Sequence, residues 1–375
     1  MKKIQRIIIK VGSSSLINDE GKIKEEAFDN IIRTISGLMK ENYEVVLVTS
    51  GAIALGMSKL NLTMKPKKMG LKQACAALGQ CTLMNEYEKY SEKYGILCAQ
   101  ILVNHDDFEN RNRMINLTNT FEELFLNKIL PIVNENDALN VEEIKVGDND
   151  TLSSLLAPMI NGDLLVLASD IDGLYDKNPK QYPDAQKIDI VTKIDKTIDS
   201  MIGDITSNVG TGGMETKIKA ARIATKAGCN MVIISTTDIV KLPDIISGER
   251  IGTMFVSEDK ILKNKEHWIV YNAYAKGAIV VDDGAKKALM ERKSLLPKGI
   301  EKIIGEFEEG SVVFISDEQG VKFAKGICNF SSREINKIIG KYSTEAKQIL
   351  KSTKEEVIHA NSLVLIDEAE YGRIK

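Results

Sequence analysis

Long apolar runs are missing from this 375-residue sequence, and no uninterrupted one reaches the roughly 20 residues that a bilayer-spanning helix needs. Met1-Lys2-Lys3 is followed by too short an apolar run for a signal peptide, because Lys10 interrupts it. Cysteine is sparse and scattered: Cys75, Cys81, Cys98, Cys229 and Cys328 form no Cys-x-x-Cys pair and no zinc spacing. They read as small buried residues of a reducing compartment. An excess of either charge is missing too. The 50 Lys+Arg and 53 Asp+Glu leave a net charge of −3, which gives no electrostatic case for nucleic acid as the main partner. Only three histidines occur (His105, His267, His359), none in a motif. A cytoplasmic, soluble protein is expected. With 43% apolar and 27% charged residues, the chain can bury sizeable cores and is long enough for two domains.

What is present starts with Ile7-Ile8-Ile9-Lys10-Val11-Gly12-Ser13-Ser14-Ser15. Its β-branched run predicts a fully buried, parallel strand, and at its end stand a lysine, a glycine and serines. Glycine lets backbone N–H groups approach a ligand, and lysine supplies a point charge for phosphate oxygens. A second such stretch, Gly210-Thr211-Gly212-Gly213-Met214-Glu215-Thr216-Lys217, opens a helical run at Ile218 to Ala227, where anion sites form. Two glycine-rich turns with two lysines suit a triphosphate held from both sides.

Helical spacing over 22–42, then a strand over 44–54 ending at Ser50-Gly51, predicts a right-handed βαβ unit and a parallel sheet. Ligands of such open sheets gather beyond the carboxyl ends of the strands, where Lys10, Gly12, Ser50 and Gly51 fall. Ser50 reads as a cap of the next helix, and its position favours a double duty, because a helix N-terminus also binds a substrate carboxylate. Further helices are expected over 72–94, 114–126 and 193–202, and strands over 96–102, 129–133, 163–168, 230–235 and 251–255. Two acidic and amide clusters stand at element ends: Asn134-Glu135-Asn136-Asp137 and Asp148-Asn149-Asp150. They suit a ligand carrying both an ammonium and a carboxylate, and a divalent-cation site is the rival reading. Ser169-Asp170 ends another buried strand, before a loop able to wrap a base or ribose or to serve as an ordinary turn.

Residues 258–272 alternate in charge and read as a linker or as a solvated helix face. Short strands after it (278–281, 303–305, 311–315, 321–324), a helix over 341–350 and a strand over 362–366 suggest a small β-rich barrel. From Tyr271 onward, 17 basic residues face 16 acidic ones, so the totals carry no basic patch.

The stretches IIIKVGSSSL, VTSGAIALG, PIVNENDAL, VGDNDTLS, LASDIDGLYDKNP and GTGGMETKIKAA resemble the glutamate 5-kinase family, a branch of the amino-acid kinases. VVDDGAKKAL and SLLPKGI, within 277–340, are similar to the PUA domain. The resemblance runs through essentially the whole chain. It implies an α/β fold, an open and mainly parallel sheet sandwiched by helices, plus a small β-rich PUA barrel. The implied divisions are a kinase domain over 1–257, a linker over 258–272, and a PUA domain with C-terminal extension over 273–375.

The implied activity is ATP-dependent phosphorylation of the L-glutamate side-chain carboxylate, the first step towards proline, with proline as feedback inhibitor and Mg²⁺ as cofactor. Lys10 and Lys217 would neutralise the transferred phosphoryl group, with Asp150 orienting them or binding substrate. Lys10, Gly12, Ser169, Asp170 and the run Thr211, Gly212, Gly213, Met214, Glu215, Thr216, Lys217 would contact ATP. Ser50, Gly51, Asn134, Asp137, Asp148 and Asn149 would hold glutamate. No direct protein ligand to the metal is assigned. A homodimer or homotetramer is implied, and no membrane partner. PUA domains elsewhere bind structured RNA, against which stand the acidic overall charge and the balanced C-terminal region. A kinase of the same fold acting on another acid, such as acetylglutamate, is the nearest rival.

Overall fold

The computed structural model describes residues 4–18, 20–139, 149–179, 181–195, 197–198, 213–257, 266 and 268–366. The chain divides into two compact units, Met1–Ile261 and Leu262–Lys375.

In the N-terminal unit, strand β1 (Arg6–Val11) lies near the middle of an eight-stranded sheet, and Ile7, Ile8 and Ile9 are fully buried. A strand covered on both faces has no solvent side, so its sequence is continuously apolar rather than alternating. It pairs in parallel with β2 (Glu44–Val48) and β5 (Leu164–Ser169). Outside β2 come β4 (Ile129–Glu135) and then β3 (Leu97–Val103) at the edge, both parallel. Outside β5 come β9 (Asn230–Ser235), in parallel, and β10 (Thr253–Phe255), the antiparallel member. β6 (Leu174–Tyr175) and β7 (Lys187–Ile188) form a separate ribbon, and β8 (Ile190–Val191) closes the main sheet beside β10. The carboxyl ends of β1, β2, β4, β5 and β9 therefore share one rim, which carries Lys10, Ser50, Asn134 and Ser169.

Helices fill the connections, with ends set by local chemistry that apolar spacing does not report. The helix expected over 22–42 starts only at Glu25, because Ile23 pairs with Ile17 across a turn at Gly21. That expected over 72–94 spans Met69–Lys93, its first turn being exposed and so outside the apolar pattern. The one expected over 114–126 starts at Arg111, where the Asn110 side chain accepts from the Asn112 and Arg113 amides. Residues 199–202 of the helix expected at 193–202 lie outside the described residues.

Helix Ala52–Lys59 packs backbone to backbone on helix Met69–Lys93. A Cβ placed on Gly56 would lie 1.9 Å from the Cys75 carbonyl oxygen, and one on Gly79 1.8 Å from that of Ala52. Neither neighbour is a side-chain tip that can swing aside. Gly79→Ala is expected to destabilise the protein by about 2–3 kcal/mol. Gly70→Ala, in the same helix with nothing within 4 Å of the added methyl, should be neutral or stabilising by about 0.5 kcal/mol. Urea unfolding of the pair checks the contrast, and equal midpoints would overturn it.

The C-terminal unit holds a five-stranded sheet, ordered β12 (Ile300–Ile304), β11 (Ala278–Val281), β13 (Val312–Ser316), β14 (Lys322–Ile327), β15 (Leu363–Leu365). The β11–β13 pair is parallel and the others antiparallel. Helices Asp283–Met290, Ser332–Ile338 and Ser343–Leu350 accompany it. Its core gathers Ile279, Val281, Leu289, Val313, Ile315 and Ile335. Lys325 on β14 is a charged residue at 0% exposure, and it donates from Nζ to the Ala273 carbonyl at 2.7 Å and the Val270 carbonyl at 3.2 Å. Residues 268–273 are thereby tied into this unit. Among the described residues no helix is long and apolar enough to cross a membrane.

Candidate active site

Three segments far apart in sequence converge on one carboxylate. Lys10 stands on the last turn of the pleat of β1, held by register opposite Val48 and Leu167. Lys217 lies in the first turn of helix Met214–Lys226, and Asp150 in the first turn of helix Asn149–Met159, where the dipole favours an acid. Asp150 is fully buried, with Lys10 Nζ 2.5 Å from Oδ1 and Lys217 Nζ 2.9 Å from Oδ2. Thr216 Oγ1 donates to the same Oδ2 at 3.2 Å. Burial by itself would push the Asp150 carboxyl up, but the two ammonium charges outweigh it and hold it below the usual carboxylate range. Two cations against one anion leave a net positive charge at the rim, where an anionic ligand is favoured. Gly12 lies beside that ammonium: a Cβ on it would come to 3.9 Å from Lys10 Nζ, an ordinary contact distance. Gly213 caps helix Met214–Lys226 and likewise leaves open space.

A second cluster is built of amides. Asn149 Nδ2 donates to the Thr49 carbonyl at 2.7 Å, to Ser50 Oγ at 2.7 Å and to Asn134 Oδ1 at 3.1 Å. Its Oδ1 is buried with no hydrogen-bond partner among the described residues. Such an acceptor is the kind of atom that a bound ammonium would satisfy. Gly51, beside Ser50, has φ of 109°, a conformation in which a side chain would be strained. Asp137 is partly buried; burial pushes its carboxyl above the ordinary value and the Lys72 charge draws it partly back.

Other expected site residues stand apart from these clusters. Ser169 Oγ donates to Asp170 Oδ1 at 2.9 Å, and the Ser169 carbonyl accepts from Thr236 Oγ1 at 3.0 Å. Thr236 in turn shares a 2.6 Å hydrogen bond with Ser15, joining the ends of β5 and β9 to the turn after β1. Met214 and Glu215 open their helix without entering either cluster. Asp148, Thr211 and Gly212 lie outside the described residues. Among the described residues no three His, Cys, Asp or Glu side chains gather as metal ligands.

Residues 5–235 match the family model described as Amino acid kinase family, and residues 277–350 match that of the PUA domain. A protein of Caldanaerobacter subterraneus subsp. tengcongensis named Glutamate 5-kinase is 43% identical over 98% of this chain and 100% of its own length. The chain belongs to the glutamate 5-kinase family. Two further glutamate 5-kinases, from Carboxydothermus hydrogenoformans and Dictyoglomus thermophilum, are each 43% identical over 98% of this chain and 99% of their own. The amino acid kinase fold is matched by a carbamate kinase from Giardia lamblia bound to AMP-PNP. That match has a TM-score of 0.50 and 16% identity, over 69% of this chain and 100% of the other.

Sequence reasoning missed four polar contributors around the glutamate 5-kinase motifs: Thr49, Gln80, Tyr87 and Thr236. Tyr87 OH and Thr49 Oγ1 share a buried 2.6 Å hydrogen bond, and burial pushes the Tyr87 phenol up. Gln80 and Tyr87 were visible as polar groups on the face of a helix that also carries buried Ala76 and Leu83.

Proposed function

We propose that the chain transfers the γ-phosphoryl group of ATP to the side-chain carboxylate of L-glutamate. The observation that carries this reading is one fully buried carboxylate, Asp150, engaged on both oxygens by Lys10 and Lys217. Glutamate's carboxylate has an ordinary pKa of about 4.3 and is already a nucleophile at pH 7, so no general base is required. One of its oxygens bonds to the γ-phosphorus while the bond to the bridging oxygen breaks, and ADP leaves with the electron pair. Lys10 and Lys217 hold charge on the transferring group, and Asp150 orients both lysines. Lys10, Gly12, Ser169, Asp170 and residues 211–217 are assigned to ATP. Ser50, Gly51, Asn134, Asp137, Asp148 and Asn149 are assigned to glutamate, with Asn149 Oδ1 and Asp137 facing the ammonium. The described side chains offer no cage for a resident metal, since Asp150 is taken by ammonium groups; Mg²⁺ is assigned to the nucleotide that it accompanies.

The product, L-glutamyl 5-phosphate, opens a route to proline, and proline is proposed to inhibit at or near the glutamate pocket. Phosphoryl transfer is assigned to 1–257; of the linker expected over 258–272, the residues from Trp268 are assigned instead to the PUA domain and its extension, because Lys325 holds the Val270 and Ala273 carbonyls. A cytoplasmic homodimer or homotetramer is proposed. RNA is disfavoured as the main ligand by the net charge of −3; filter binding that is retained at low salt and lost steeply as salt rises would reinstate it. The test of the reaction is hydroxylamine trapping of the acyl phosphate with MgATP and, in parallel, glutamate, aspartate and N-acetylglutamate, with and without proline. Hydroxamate from glutamate alone, suppressed by proline, is expected. Product from another acid overturns the substrate, and no product overturns the reaction.

Asp137 gives a pH prediction. Its carboxyl is raised on folding, so its favourable contribution to stability is full below the unfolded pKa and is lost as pH rises through the folded one. Ionised Asp137 therefore weakens the ligand-free protein at pH 7. Asp137→Asn should raise Tm by roughly 2 °C at pH 7 but not near pH 4, while raising the glutamate KM about tenfold or more. Calorimetry with glutamate titrations checks both, and a lower Tm with unchanged KM would remove Asp137 from the pocket.

A further inference from the structure

We infer that Gln80 is a positioning residue for the glutamate pocket, acting through Asn134; this rests on the substrate reading above. Gln80 Oε1 accepts from Asn134 Nδ2 at 2.9 Å. Main-chain groups fix the orientation of Asn149 and of Asn134, and that of Gln80 follows from Asn134. The Thr49 carbonyl requires a donor, so the group that Asn149 presents to Thr49, Ser50 and Asn134 is its NH₂. The Glu135 amide donates to Asn134 Oδ1 at 2.9 Å, which makes that atom an acceptor and leaves Asn134 Nδ2 facing Gln80. Gln80 must then present its oxygen. Remove that oxygen and Asn134 Nδ2 loses the acceptor holding it, which frees the side chain that supports Asn149.

The position of Gln80 is itself fixed by backbone contact. Gly79, the preceding residue, lies against the Ala52 carbonyl so closely that no Cβ fits. About two helix turns later, Tyr87 bonds Thr49, the residue before Ser50. The helix Met69–Lys93 thus grips both sides of the Ser50 turn, and Gln80 is its reach into the amide cluster.

The test is a double-mutant cycle of Gln80→Met and Asn134→Ala, read as KM for glutamate, KM for ATP and kcat. Gln80→Met keeps length and helix propensity but removes the acceptor. The expected result is a glutamate KM raised about tenfold, with ATP KM and kcat changed less than threefold. In the Asn134→Ala background the same substitution should add almost nothing, because its route of action is gone. Additive effects, or a loss in all three constants alike, would overturn the inference. Gln80→Glu, which keeps an acceptor for Asn134, should stay within about threefold of the parent KM; a tenfold rise there overturns it even where Gln80→Met does not fold. A parent protein that makes no acyl phosphate from glutamate would instead overturn the substrate reading, so the two failures are separate.

Discussion

Lys217→Ala is expected to lower kcat by roughly 10²- to 10³-fold, with the glutamate KM changed only a few-fold. The lysine ammonium is buried at 3% exposure, so its charge acts with little solvent screening on anything placed beside it. Charge on the phosphoryl oxygens is redistributed as the bond to ADP loosens, and a cation fixed beforehand stabilises that state without reorganising. The carboxyl and ammonium of glutamate are assigned to other groups, so ground-state binding should survive. The fold should survive as well, since Asp150 keeps Lys10 as a partner. Steady-state kinetics of ADP release, followed in glutamate and ATP separately, give the comparison. A rise in KM with kcat intact would move Lys217 from the reacting group to simple binding.

Asp150→Asn attacks the same cluster from the opposite sign and should be worse for the fold. It leaves two buried ammonium groups facing a neutral amide, and removing one partner of a buried ionic set typically costs about 3–5 kcal/mol. The kcat should drop by on the order of 10²-fold, because neither lysine is then held in place. The variant carries a signature that ordinary destabilisation lacks. An anion can take the place of the lost carboxylate, so MgATP or inorganic phosphate should raise its Tm by more than they raise that of the parent. Scanning calorimetry with and without phosphate reads this directly. Parent-like stability and kcat within threefold would mean that Asp150 holds neither lysine.

The sheet was readable because its strands are buried on both faces: Ile7-Ile8-Ile9 and Leu164-Leu165-Val166-Leu167 leave no helical or alternating reading open. The rim was readable for the same reason, since an apolar strand that stops at Lys10 or Ser169 marks its own carboxyl end. Helix starts were less so. Arg111 begins where Asn110 caps, and Met69 begins in an exposed turn, neither of which leaves an apolar trace. Within the site, single residues could be named, but not who holds whom. That Asp150 binds both lysines depends on β1 and two helix starts meeting at one point, a distance of 67 residues on one side and 140 on the other. The reach of Gln80 is invisible in sequence, because nothing in a helical pattern says that Gly79 touches Ala52.

Lys325 bears on how the chain can be cut. A fragment begun at Gly277, where the PUA match starts, would lack Val270 and Ala273, whose carbonyl groups receive its buried ammonium. Desolvating a lysine without those acceptors is a penalty of several kcal/mol, against a total that for a small domain is only about 5–15 kcal/mol. The smallest autonomous C-terminal piece therefore begins no later than Val270, and one begun at Gly277 would report on the loss of these contacts as well as on the domain.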